Sequence, residues 1–219
     1  MSIPHLILFG AALLVGHAIW RGLRRRAGRR YIDDYVFHEA IERKLAAKRP
    51  GLSPEQRALV LRGLRDWFWM CSKAGRRRRV SMPSQVVDDA WHEFILFTRA
   101  YEQFCRQTLG HFLHHTPAEA MSTPTIAQTG IKRAWRLACA REGLDPRHPG
   151  RLPLIFALDG LLGIEDGFSY SLDCQDPNSP QYGSGYCASH IGCGSGCAGD
   201  SGGHGCSGDG DGGGGCGGD

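Results

Sequence analysis

Ser84–Pro117 reads SQVVDDAWHEFILFTRAYEQFCRQTLGHFLHHTP. Apolar residues recur at Val86, Val87, Ala90, Trp91, Phe94, Ile95, Leu96, Phe97, Tyr101, Phe104, Cys105 and Leu109. The period is helical and the stripe is wide, which predicts one long helix buried at the centre of a bundle. Pro83 and Ser84 open it, and Gly110 stands where a C-cap glycine belongs. With amphipathic segments on either side of it, this stretch makes the fold all-α.

The spacing of the polar residues carries the chemistry. Asp88 and His92 are four apart, so on a helix they share one face and can meet. An aspartate beside an imidazole can orient it, raise its basicity, or join it in ligating a metal. The turn after Gly110 then returns His111, His114 and His115 near the helix end. Together these five residues can supply three or four N/O ligands for zinc or another divalent ion. The plainer alternative is a buried Asp88–His92 pair that sets helix register, with His114 and His115 capping helix ends. No Ser or Cys nucleophile signature and no phosphate-binding glycine loop stands nearby, so no reaction class is assigned.

The pattern V-D-x-x-W-H-x-x-I-x-x-T-x-x-Y-x-x-F-C-x(4)-G-x-x-x-H-H-x-P is carried by Val87, Asp88, Trp91, His92, Ile95, Thr98, Tyr101, Phe104, Cys105, Gly110, His114, His115 and Pro117. It resembles the glycine-rich domain-containing protein family, formerly a domain of unknown function, in its bacterial, membrane-anchored form. Members often carry a second histidine two positions after the Trp-His pair, where this chain has Phe94. The resemblance implies a helical domain and no particular activity.

Outward from the motif, the N-terminal end is apolar. Ile3–Trp20, IPHLILFGAALLVGHAIW, has eighteen residues and no formal charge. At ~1.5 Å per residue it reaches about 27 Å, which predicts a single membrane span. Nothing basic precedes it and RGLRRRAGRR follows, so the charge rule puts the N-terminus outside and the bulk of the chain in the cytoplasm. In that compartment the cysteines are expected as thiols or metal ligands. The arginine block would then lie against anionic lipid.

Tyr31 to Lys48 reads as a helix with acids early and bases late. Ser53-Pro54-Glu55-Gln56 is a helix start with a capping box, and the helix runs to Gly75. Arg76 to Arg79 form a basic turn that reads as a solvated or membrane-facing loop, with no recognised nucleic-acid-binding fold around it. After the motif, Thr125 to Gly143 predicts a helix, and Leu152 to Leu162 a short buried helix or a packing arm far below a membrane span. Asp159 within it reads as solvent-facing or as a cap.

From about Ser171 the composition changes, and residues 183–219 are nearly half glycine. Such a segment cannot bury enough surface to offset its chain entropy, so a disordered Gly/Cys-rich tail is expected. His190, Cys193, Cys197, His204 and Cys206 are ligand types without the spacing of a standard zinc module.

The expected organisation is a transmembrane anchor with basic flank over 1–30, an α-helical domain over 31–170, and the tail over 171–219. The function this favours is a membrane-tethered binding or scaffold module, with membrane lipid and another membrane or cytoplasmic protein as partners. The alternative is a metal-binding protein or metalloenzyme using Asp88, His92, His111, His114 and His115. Nucleic acid is not expected as a partner.

Overall fold

A computed structural model describes residues 3–115, 124–172, 186–187 and 191. Seven helices follow in order: α1 (Ile3–Asp34), α2 (Glu39–Lys48), α3 (Pro54–Ala74), α4 (Gln85–Ile95), α5 (Thr98–Thr108), α6 (Pro124–Glu142) and α7 (Leu154–Leu161). Two two-residue strands, β1 (Tyr170–Ser171) and β2 (Tyr186–Cys187), pair in parallel. The fold is all-α, and α3 packs against α1, α2, α4, α6 and α7.

The caps explain why α3 begins and ends where it does. Ser53 Oγ accepts from Gln56 N at 3.2 Å, and Gln56 Oε1 accepts from Ser53 N at 2.8 Å. Both are donors that the first helical turn leaves unpaired. At the other end Gly75 adopts φ +70°, which an L side chain resists. The face of α3 that this orientation buries holds Val60, Leu64, Trp67, Phe68 and Met70.

The central stretch is two helices, not one. α4 stops at Ile95, Leu96–Phe97 form the bend, and α5 starts at Thr98. Four consecutive apolar residues, Phe94 to Phe97, cannot all face one side of a straight helix. The bend sends Phe94 into the core, where it is 1 % exposed, and Leu96 to the surface, where it is 63 % exposed. Phe97 turns sideways to stack on His38 at 5.6 Å. The stretch around Tyr31 is likewise divided, since α1 runs on to Asp34 and Tyr35–His38 is non-helical before α2. Tyr35 and Phe37 leave the helix to pack on Phe104 and Phe94, with ring centroids 4.7 and 5.3 Å away. The Arg65 guanidinium donates twice to the carbonyl of Tyr35, at 3.1 and 2.9 Å, and holds that connection.

The membrane span is not found. Among the described residues no helix is long and apolar enough to cross a membrane. The apolar run is diluted by Pro4, His5, Gly10, Gly16 and His17. The helix that carries it continues unbroken through the arginine block to Asp34, where its last turns pack on α3 and α5. The single-pass localisation, with the N-terminus outside and the domain cytoplasmic, rested on that span and falls with it.

Most of the expected tail lies outside the described residues, as does the His190–Cys206 ligand pattern apart from Ile191. Of its described positions, Tyr186 and Cys187 align with Tyr170 and Ser171, and Ile191 is 5 % exposed within the core.

Candidate metal centre

Asp88 lies in the first turn of α4 and His92 one turn later, so helical geometry alone brings them together. His92 Nδ1 is 3.5 Å from Asp88 Oδ2. The third member arrives from the segment after α5: His115 Nε2 is 3.2 Å from Asp88 Oδ1. The two imidazole centroids are 4.1 Å apart. One ligand atom from each of Asp88, His92 and His115 lies within 4.8 Å of the other two, and all three residues are half-buried.

His115 is held in place by aromatic packing beneath it. The Tyr101 hydroxyl accepts from Trp91 Nε1 at 3.1 Å and donates to the Leu113 carbonyl at 2.6 Å. Burial pushes the Tyr101 phenol well above its ordinary range, so the hydroxyl keeps the proton that it donates. Phe112 and Tyr101 pack edge-to-face at 5.2 Å, and Trp91 and His115 do so at 4.8 Å. Trp91 and His92 are adjacent on α4, so the helix that carries one imidazole also seats the other. Gly110, at φ +76°, turns the chain out of α5 and back toward α4.

The other expected ligands stand apart. His111 Nδ1 is engaged with the Leu109 carbonyl at 3.1 Å, and His114 is exposed and packs on Phe112 at 4.8 Å. Three of the five sequence candidates therefore converge and two do not. The positioning residues Trp91, Tyr101 and Leu113 read only as core in the sequence, because neither their spacing nor their types announce a hydrogen-bonded chain.

Neighbouring acids have other duties. Asp89, 1 % exposed, pairs with Lys48 at 2.7 Å and with Arg49 at 2.7 Å. Arg49 also takes Asp166 in a two-point bridge at 2.6 and 2.9 Å, which ties α2 to the segment after α7. A cleft of about 520 Å³ is lined by Asp33, Arg62, Arg65, Asp66, Arg141, Glu142 and Arg151. Its charges largely satisfy one another: Arg141 pairs with Asp33 and Asp66, and Arg151 with Glu142.

The three ligand atoms suit a small divalent cation. Around tetrahedral zinc, with bonds of about 2.0–2.2 Å, ligand atoms stand roughly 3.3 Å apart. Each imidazole already stands near that distance from a carboxylate oxygen, His92 from Oδ2 and His115 from Oδ1 of Asp88. His92 has the most exposed side chain of the three and can turn to close the remaining gap. The same atoms can instead share protons, each ring donating an N–H to the carboxylate.

Fold and site thus define an all-α protein with an Asp/His cluster on one face of a central helix. The chain belongs to the UCP032817-like family, whose profile matches residues 27–191. That match replaces the glycine-rich domain family, which is not indicated; the thirty-residue motif is too short to fix a family by itself. No curated protein matches the chain, and no solved structure does.

Proposed function

We propose that the helical domain is a binding module whose ligand is a divalent metal ion, zinc first, held by Asp88, His92 and His115. The supporting observation is the convergence of the three ligand atoms within 4.8 Å. One carboxylate and two neutral imidazoles leave a zinc ion with net charge +1 and an open fourth position. Water or a partner's donor group would complete it. Binding requires lone pairs on the ring nitrogens that face Asp88, so it displaces protons and weakens as the solution is acidified.

The test is metal stoichiometry of the purified chain after zinc loading and dialysis, wild type beside His92→Ala, His115→Ala and His114→Ala. The two ligand variants should each lose one equivalent and His114→Ala should lose none. Cobalt substitution separates this site from cysteine ligation, because the equivalent lost should carry no thiolate charge-transfer band. Equal metal content in all four proteins would sink the reading.

A further inference from the structure

A second surface joins two parts of the chain that the sequence keeps apart. The loop after α3 carries Arg76 to Arg79, all exposed. It is followed by Ser81, which packs directly on α6: a Cβ added at Gly130 would collide with Ser81 Oγ and sit 3.0 Å from Ser81 N. One turn along α6, the Arg133 guanidinium donates to the Arg79 carbonyl. Arg136 lies a further three residues on, beside Arg133 on the helix surface, and is exposed. Lys132 adjoins them.

Residues 73–84 contain no Asp or Glu, and neither do residues 124–141. Among the described residues, none of Arg76 to Arg79, Lys132, Arg133 or Arg136 is in an ion pair with an acid. This differs from the cleft beside Asp33 and Asp66, where acids meet the arginines. Seven cations that pair with no acid among the described residues, drawn from a loop and an adjoining helix face, make a local positive field.

We propose that the Arg76–Arg79 loop and the Lys132–Arg136 face of α6 together bind the phosphate backbone of a nucleic acid, without base readout. In the sequence no recognised nucleic-acid-binding fold surrounds the loop; in the structure α6 lies beside it and adds a basic face. The surroundings favour a strand in water over a bilayer. Among the described residues, no large hydrophobic side chain is exposed within 73–84 or 128–141, so nothing there would insert among acyl chains. Guanidinium groups match phosphate oxygens two at a time.

The experiment is anisotropy of a labelled mixed-sequence 20-mer, single-stranded and duplex, titrated with the full chain over a salt series. Three variants accompany wild type: Arg76→Ala/Arg78→Ala in the loop, Arg136→Ala on α6, and Arg24→Ala/Arg26→Ala in the arginine block of α1. The slope of log K against log salt should shrink by about one for each loop or α6 arginine removed. At ~0.1 M salt the loop and α6 variants should each bind several-fold more weakly, while the α1 variant should lose less. Unchanged slopes in the loop and α6 variants would overturn the proposal. So would loss confined to the α1 variant, or binding to vesicles of anionic lipid with none to either oligonucleotide. Circular dichroism on each variant confirms that the exposed substitutions leave the fold intact.

Discussion

Ser84 and Asp159 share a buried hydrogen bond of 2.7 Å across 75 residues of sequence. Asp159 comes from α7, yet it caps α4: it also accepts from Gln85 N at 2.7 Å and Val86 N at 3.2 Å. A fourth donor, Phe168 N at 2.8 Å, ties the segment after α7 to the same carboxylate. The negative charge stands at the positive end of the α4 dipole. Asp159 thereby orients the helix that carries Asp88 and His92.

Asp159→Ala strands a buried hydroxyl and three backbone donors. The expected loss is about 3 kcal/mol, since each hydrogen bond to a charged group contributes roughly 1.5–3 kcal/mol and part of the region can relax or hydrate. Urea unfolding should show the midpoint fall with an unchanged m-value. A shift under about 0.5 kcal/mol would mean that α4 does not depend on this cap.

Tyr101→Phe removes the hydroxyl that links Trp91 Nε1 to the Leu113 carbonyl. It changes no ligand atom. Stability should drop by about 1–2 kcal/mol. Zinc affinity should weaken by about tenfold or more, as with other residues that orient a ligand from behind. Competition against a chromophoric chelator measures it, and wild-type affinity would show that His115 is not positioned through Tyr101.

Gly63 lies where α3 meets α4 and α7. A Cβ there would sit 2.5 Å from Leu158 Cδ1 and 2.9 Å from Val87 Cγ2. In an exposed helix the change to alanine would stabilise by up to about 1 kcal/mol through propensity. Here overpacking outweighs that, and Gly63→Ala should cost about 1–3 kcal/mol. Thermal unfolding decides the sign. Because Val87 adjoins Asp88, metal binding should weaken in the same variant.

Burial pushes the thiols of Cys71, Cys105 and Cys139 upward, that of Cys139 to about 11. At pH 8 about one Cys139 in a thousand is then thiolate, so all three should resist alkylation until the chain unfolds. Site-resolved mass spectrometry with and without denaturant reads this directly. The linkage has one sign. The folded state holds these protons above the ordinary thiol value of about 8.5, so their contribution is intact below that pH and is lost as pH rises toward 11. Cys139→Ala should flatten the alkaline decline in stability.

Local features were legible in the sequence because they depend on neighbours within a turn or two. The capping box at Ser53 and Gln56, the Gly75 and Gly110 stops, the buried α7 and the Asp88–His92 pair all follow from such spacing. The all-α class follows from the summed periodicity. The uncharged N-terminal run predicts a span from local composition alone, yet among the described residues no helix is long and apolar enough to cross a membrane.

Tertiary structure decided what depends on residues far apart. It split the central stretch at Leu96, because a core surrounding Phe94 cannot also take Leu96 and Phe97 on one straight helix. It chose His115 over His111 and His114, because Tyr101 pins Leu113 and turns one imidazole of the three toward Asp88. It made Asp159 the cap of a helix 75 residues earlier. Local periodicity specifies which face of a helix is apolar; only closing the chain on itself specifies what that face meets.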